Sequence, residues 1–207
     1  MTQSKSPFLV FQDFVSPLLC EQIIDAVDFY SPETDRSGKP TKAIRRNEEA
    51  ESILFEKFRE VIPKIEEYFG TEYRGTEPIY VEWYPEESEG AFVCESSSYV
   101  RKKWVRTKDR DFTAVLFLTD YQDNIPFDSE FEVYGGKLEF PQWGFGFNPQ
   151  RGTLIVFPSS PHFINITTKI LVGDLFQAKI HIAAQKPFLF DAKNFPGDYR
   201  TWFKETV

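Results

Sequence analysis

The sequence contains little cysteine and little histidine. Its 207 residues include two of each, which are Cys20, Cys94, His162 and His181. This argues against a disulfide scaffold and against a structural zinc site, which usually needs four cysteines or closely paired cysteines and histidines. The sequence also lacks the Gly-x-Ser-x-Gly elbow, the Walker phosphate loop and the Gly-x-Gly-x-x-Gly fingerprint. Any metal or acid–base chemistry therefore depends mainly on His162 and His181.

Long apolar runs are missing as well. No run approaches the roughly 18 residues of a membrane-spanning helix, and the first residues lack the apolar region of a signal peptide. We therefore expect a cytoplasmic protein with no membrane contact. The 24 Lys and Arg against 32 Asp and Glu give a net charge of −8. This balance argues against general binding to phosphate polyanions, which needs clustered cations, so nucleic acid is not an expected partner.

Aromatic residues, in contrast, are abundant. The chain has 22 Phe, 9 Tyr and 4 Trp against a single Met, and 41% of its residues are hydrophobic. This composition is typical of a folded globular protein whose core is built on sheets. The length predicts one domain, residues 1–207.

Helix signals precede strand signals along the chain. Ser16 and Pro17 predict the start of a helix that continues over 18–30, and Asn47 predicts the cap of a second helix over 47–69. Pro63 is expected to kink or break this second helix before Gly70 ends it. Strands are then predicted over 78–84, 91–95, 112–119, 131–134, 137–140, 153–157, 163–166 and 174–184. Two helices followed by about eight strands predict an α+β domain whose sheet curls into a sandwich or barrel, with the aromatic tail 188–207 packed back on it.

The segment 174–184 shows the clearest alternation. One face carries Phe176, Ala178, Ile180 and Ile182, and the other carries Leu175, Gln177, Lys179 and His181. The polar face is either exposed to solvent or lines the lumen of a barrel, where a ligand would sit. Alternation alone does not separate the two interpretations.

Five segments in order resemble the prolyl-4-hydroxylase-like branch of the Fe(II)/2-oxoglutarate dioxygenases, nearest to its short microbial and phage members. The matching segments are FQDFVSPLLCE (11–21), RDFTAVLFLTD (110–120), YGGKLEFP (134–141), PQRGTLIVFPS (149–159) followed by His162, and GDLFQAKIHI (173–182). The resemblance implies a double-stranded β-helix (jelly roll) buttressed by the N-terminal helices. It also implies Fe(II) held by a His-x-Asp pair and a distal histidine, with a basic residue binding the far carboxylate of 2-oxoglutarate.

The sequence departs from that pattern at the site positions. In FVCESS (92–97) Cys94 stands in the place of the histidine and Ser96 in the place of the aspartate, and Leu175 stands in the place of the basic residue. His162 alone remains in its place, so His162, Cys94 and Ser96 are the metal-ligand positions that the resemblance gives.

Other residues near these positions are candidates for supporting roles. Lys179 lies four residues beyond Leu175 on the same strand face, so it is either a substitute cation for a carboxylate ligand or a solvated lysine. The remaining candidates are Gln177 and Tyr84 near the cosubstrate, Glu95 on the opposite strand face from Cys94, and Asp109 and Asp111 as substitute ligands from a stretch that relatives carry outside the metal centre.

These substitutions predict a non-catalytic or divergent relative that binds a small-molecule or peptide ligand in the barrel pocket and needs no cofactor. The alternative is an active hydroxylase of a peptidyl or small-molecule substrate that uses Fe(II) and 2-oxoglutarate with unusual ligands. A halogenase-like site, with Ser96 leaving room for chloride, is a remote third hypothesis. The oligomeric state is not predicted.

Overall fold

The computed structural model of the chain describes residues 5–27, 33–123 and 131–195. The helices are α1 (Pro17–Asp25), α2 (Glu48–Arg59) and α3 (Ile62–Phe69). The strands are β1 (Leu9–Phe11), β2 (Glu33–Thr34), β3 (Pro40–Thr41), β4 (Ala43–Arg45), β5 (Tyr73–Thr76), β6 (Tyr80–Tyr84), β7 (Ser97–Val100), β8 (Lys103–Arg106), β9 (Phe112–Phe117), β10 (Asp120–Tyr121), β11 (Glu132–Gly135), β12 (Leu138–Phe140), β13 (Phe145–Phe147), β14 (Leu154–Pro158), β15 (Ile166–Thr167), β16 (Ile170–Gly173) and β17 (Leu175–Ala184). None of the helices in these ranges is long and apolar enough to cross a membrane.

Local sequence signals explain where the helices begin and end. The Ser16 side chain accepts a hydrogen bond from the Leu19 N–H, and Pro17 occupies the first turn of α1. Asn47 Oδ1 accepts the N–H groups of the first turn of α2. As predicted, the helix breaks near Pro63, which lies in the first turn of α3, and Gly70 ends α3 in the left-handed conformation. Helix α1 ends earlier than predicted, and residues 28–30 of that prediction lie outside the described residues.

A large sheet forms the centre of the described part of the chain. Its strand order is β1-β14-β9-β17-β6-β4, with β5 also paired to β17, and every pairing in it is antiparallel. Smaller sheets of order β10-β11-β16 and β13-β12-β15 face it. This arrangement is the predicted jelly roll.

Two apolar cores lie on opposite sides of the large sheet. On one side the three helices pack their buried faces against strand residues such as Ala114, Val156 and Ile180, which confirms that the helices cover one sheet. On the other side, large-sheet residues such as Val115 and Phe157 pack against the smaller sheets. Phe188, Phe190 and Phe195 pack on the body as predicted for the tail, whereas residues 196–207 lie outside the described residues.

The strand prediction is wrong in the middle of the chain. Residues 91–95 form no strand, because Val93 makes only an isolated bridge to Asn165. The strands of this region are instead β7 and β8, which pair with each other in a two-stranded sheet. The strand predicted over 163–166 is also mostly wrong, because a 3₁₀ turn occupies Pro161–Phe163 and β15 begins only at Ile166. Seven short strands were not predicted: β2, β3, β4, β5, β10, β13 and β16.

Candidate functional site in the barrel interior

The polar face of β17 points into the barrel. The other face of the strand lies against the helical core through Ala178, Ile180 and Ile182. The interior residues Leu175, Gln177, Lys179 and His181 are 0%, 0%, 5% and 1% exposed. Of the two interpretations left open by the sequence, the lumen is therefore right and the solvent-exposed face is wrong.

One part of the interior is apolar and filled with aromatic rings. Phe8, Phe140, Phe157 and Phe163 pack there in edge-to-face and tilted contacts, with ring centroids 4.8–6.3 Å apart. Leu175 belongs to this cluster and is fully buried. The position at which the resemblance expects a cation thus has apolar surroundings.

The neighbouring part of the interior is charged, and Lys179 lies at its centre. Lys179 Nζ lies 3.0 Å from Glu95 Oε1 and 3.6 Å from Glu82 Oε2. Burial opposes the charged lysine, but the two carboxylates hold its pKa well above the usual value. Lys179 is therefore neither a solvated lysine nor an uncompensated cation.

Glu82 connects Lys179 to the edge of the barrel. Its carboxylate accepts hydrogen bonds from Lys42 Nζ at 2.7 Å and from Gln177 Nε2 at 2.6 Å. Burial would raise the pKa of Glu82, but Lys179 and Lys42 outweigh burial and lower that pKa to about 2. Tyr84 donates to the same carboxylate at 3.3 Å, so all three predicted cosubstrate residues, Lys179, Gln177 and Tyr84, contact Glu82.

Arg110 extends the charged region on the other side of Glu95. Its Nε donates to Glu77 Oε1 at 2.6 Å, and its Nη1 lies 3.4 Å from Glu95 Oε2. We call the residues Lys42, Glu77, Glu82, Glu95, Arg110 and Lys179 the interior ion-pair network. It contains three cations and three carboxylates, so its formal charge is zero.

His181 lies beside this network as a neutral imidazole. Its Nδ1 lies 3.3 Å from Thr113 Oγ1, and its Nε2 lies 3.0 Å from the Tyr80 hydroxyl. Burial, followed by the charges of Arg110 and Lys179, lowers the His181 pKa to about 3. Both ring nitrogens have hydrogen-bonding partners within the protein.

Most residues of this network were not predicted from the sequence as site residues. Glu77, Glu82, Arg110 and the partners of His181 were not singled out. A signal for Glu82 did exist, because Tyr80, Glu82 and Tyr84 alternate along β6 in register with the polar face of β17.

The placement of Glu95 differs from the prediction. An ideal strand over 91–95 would put Glu95 and Cys94 on opposite faces. Because no strand forms there, Glu95 enters the interior at 3% exposure and pairs with Lys179 and Arg110. Cys94 is half-buried, with its Sγ 3.7 Å from the Ser159 carbonyl oxygen.

Two of the three predicted metal positions, Cys94 and Ser96, contact the same backbone carbonyl, that of Ser159. Ser96 N donates to the Ser159 carbonyl at 3.1 Å, as the Cys94 thiol does at 3.7 Å. His162 is exposed on the 3₁₀ turn Pro161–Phe163, its Nδ1 lies 3.4 Å from Ser160 Oγ, and its ring centroid lies 5.2 Å from that of Phe190. The role of Cys94, Ser96 and His162 as metal ligands remains a prediction.

The donor set does not fit Fe(II) and 2-oxoglutarate. An iron site of this kind takes imidazole and carboxylate ligands, whereas the three positions offer one imidazole, a thiol and a neutral hydroxyl. Within residues 5–27, 33–123 and 131–195, no three His, Cys, Asp or Glu side chains are grouped so that they could hold a metal. The only lysine on the interior face of β17 is already paired with two carboxylates.

The aspartates named as substitute ligands have other contacts. Asp111 accepts hydrogen bonds from the N–H groups of Ala184 and Phe188 at 2.9 and 2.8 Å and pairs with Arg106. Asp109 is exposed and pairs with Arg74 and Arg106. Both carboxylates therefore connect loops and strand ends.

Three solved structures are similar to this chain. One is a viral collagen prolyl hydroxylase of Paramecium bursaria Chlorella virus-1 in complex with 2-oxoglutarate, at 15% identity and a TM-score of 0.65, covering 90% of this chain and 100% of that one. The second is a prolyl-4-hydroxylase of Pseudomonas putida, at 16% identity and a TM-score of 0.55, covering 87% of this chain and 94% of that one.

The third is a prolyl hydroxylase of Trichoplax adhaerens in complex with a hypoxia inducible factor oxygen degradation domain peptide. It is 13% identical, with a TM-score of 0.58, and the match covers 93% of this chain and 86% of that one. No protein-family model and no curated protein matches the sequence. At these identities the comparisons show the fold, and the chain has a prolyl-4-hydroxylase-like fold.

Proposed function

We propose that this chain is a non-catalytic relative of the Fe(II)/2-oxoglutarate hydroxylases, a binding module that uses the jelly roll as a scaffold. The observation that carries the proposal is the pairing of Lys179 with Glu82 and Glu95 inside the barrel. A dicarboxylate ligand would have to displace one of these carboxylates, and the displaced buried carboxylate would keep only its second cation, which is Lys42 for Glu82 and Arg110 for Glu95.

The metal positions support the same proposal. Cys94 and Ser96 stand where the resemblance expects a histidine and a carboxylate, and Leu175 lies among phenylalanine rings. A charged cosubstrate in that apolar part would lose its hydration without gaining a charged partner. The interior therefore favours packing and ion pairing over iron chemistry.

The test is 2-oxoglutarate turnover in the presence of added Fe(II) and ascorbate, together with metal analysis of the purified protein. We expect substoichiometric iron and succinate formation no faster than in a blank without protein. The matched control is His162→Ala, which should leave this background unchanged. Turnover well above the blank that is abolished by His162→Ala would refute the proposal and favour the active hydroxylase with unusual ligands.

A further inference from the structure

The hairpin of β7 and β8 presents two aromatic rings on one exposed face. Tyr99 pairs with Trp104 across the two strands, and their ring centroids are 5.2 Å apart. The residues are 62% and 41% exposed although both are large and apolar. The register places Ser97 and Arg106, which pair with each other, on the same face. This face is an exposed aromatic surface whose two rings are tilted by 56° to each other. It is bordered by Arg106, which pairs with Asp109 and Asp111.

The same hairpin concentrates positive charge. Residues 97–108 contain five cations and no carboxylate. Arg101, Lys102 and Lys103 at its tip are exposed and form no ion pair within the part of the chain that the structure describes. The stretch 36–46 also contains five cations, but four of them form ion pairs with carboxylates. The positive charge at the hairpin tip is therefore not neutralised by ion pairs, whereas most of the positive charge in 36–46 is.

The turn at the tip is built from residues that its backbone disfavours. Arg101 and Lys102 have φ values of 49° and 65°. Two-residue hairpin turns with positive φ at both positions strongly prefer Asn-Gly or similar pairs. Long cationic side chains thus occupy positions at which Asn and Gly would be less strained, which points to a role for the cations at this tip.

We propose that the hairpin 97–106 binds single-stranded nucleic acid. Unpaired bases stack on Tyr99 and Trp104, and the backbone phosphates pair with Arg101, Lys102 and Lys103. A single strand is the ligand that uses both features, because every base has a stackable face and every linkage carries a negative charge. The site lies outside the barrel and requires neither metal nor cosubstrate.

Two other anionic partners fit the hairpin less well. An acidic polypeptide would pair with the cations but would leave the aromatic face without a ligand. An anionic membrane would meet the charged tip first, and the apolar residues lie between the tip and the body of the protein. The net charge of −8 does not oppose the proposal, since it describes the whole chain and the cations here are clustered.

The experiment measures fluorescence anisotropy of labelled oligothymidine of about 12 nucleotides, at about 50 and about 200 mM salt. The variant Arg101→Gln/Lys102→Gln/Lys103→Gln should bind at least about tenfold more weakly than the wild type. It should also reduce the salt slope by about 2, because each lost phosphate contact contributes roughly 0.7 for single strands. Lys57→Gln/Arg59→Gln/Lys64→Gln has the same net charge and should bind within about twofold of the wild type.

A second pair of variants tests the stacking. Trp104→Ala should weaken binding about tenfold, whereas Trp104→Phe keeps an aromatic face and should retain most of the affinity. A duplex of equal length should bind more weakly than the single strand, because its bases are not free to stack. Thermal unfolding of each variant checks that the fold is intact.

Several results would overturn the proposal. They are the absence of measurable binding, equal weakening by the two triple variants, a duplex that binds as tightly as the single strand, and an unaffected Trp104→Ala. If poly-glutamate binds as tightly as oligothymidine and Trp104→Ala does not weaken its binding, the ligand is an acidic polypeptide instead. If the protein binds phosphatidylserine vesicles and not the oligonucleotide, the ligand is an anionic membrane.

Discussion

The contribution of a single lysine to this fold depends on where its ammonium group lies. Lys179 is 5% exposed, and two carboxylates neutralise it. Lys39 also pairs with a carboxylate, Glu89, but the two side chains are 41% and 53% exposed. Solvent screens the Lys39 pair, whereas the Lys179 pairs lie in the protein interior, where an unpaired charge is poorly solvated.

Removing the Lys179 charge should therefore destabilise the protein strongly. We expect Lys179→Met to lower the free energy of unfolding by about 3–5 kcal/mol, since Glu82 and Glu95 each lose a buried counter-ion. Lys39→Met, the matched exposed change, should cost less than about 1 kcal/mol. Urea unfolding measures both values.

A double-mutant cycle separates pairing from packing at this position. In Lys179→Met/Glu95→Gln one of the stranded charges is removed, so part of the lost stability should return. A Lys179→Met variant that unfolds within about 1 kcal/mol of the wild type would show that the interior ion-pair network does not hold the barrel together.

At the scale of elements, alternation and capping residues predicted much of the framework. The capping residues located the starts of both predicted helices, and Pro63 located the break between α2 and α3. Strand β17 matches its predicted range of 174–184 almost residue for residue. These signals are local, so they do not depend on the rest of the fold.

The hairpin of β7 and β8 could not be predicted in this way. Its turn residues Arg101 and Lys102 carry no turn signal, and its strands are exposed on both faces, so they lack apolar alternation. The interior ion-pair network was missed for a different reason. Arg110, Glu95 and Glu77 come from separate loops, and only the folded chain brings them together.

Strand β17 also sets a limit on rebuilding a cosubstrate site. Leu175, at which the resemblance expects a cation, is fully buried and is directly paired with Tyr84 in the sheet. Leu175→Arg should lower the free energy of unfolding by more than about 4 kcal/mol, because it overpacks the aromatic cluster and buries a charge without a partner.

The matched substitution at that position is Leu175→Met, which keeps the volume and the apolar character. It should cost less than about 1.5 kcal/mol. Chemical denaturation followed by tryptophan fluorescence compares the two variants. If Leu175→Arg folds with stability near that of the wild type, then the interior is roomier and more polar around this strand than the packing of Phe140 and Phe157 indicates.

At the scale of the whole molecule, the composition of the barrel interior decides how stability depends on pH. The jelly roll is shared with the similar prolyl hydroxylase structures. In this chain its interior combines an aromatic cluster with a charge-balanced network and a neutral histidine. Such an interior links stability to pH, since the groups that titrate in the acid range are held away from their ordinary pKa values.

We therefore expect the protein to lose stability as the pH falls from about 6.5. The pKa of His181 is 6.5 in the unfolded reference and about 3 in the folded protein. Between these values the unfolded chain binds one more proton, so the free energy of unfolding should fall by up to about 1.4 kcal/mol per pH unit from this group. Glu82, whose folded pKa is about 2, adds to the loss only below about pH 4.5.

The two histidines of the chain provide a matched pair for this measurement. His181→Gln keeps hydrogen-bonding atoms near Thr113 and Tyr80 but does not titrate, so it should remove most of the slope between pH 6.5 and 4.5. His162→Gln changes an exposed ring and should leave the slope as it is. Urea midpoints across that pH range measure the slopes. Because His181 reaches its partners only within the folded barrel, a flat wild-type profile, or a slope removed by His162→Gln, would contradict the buried neutral imidazole.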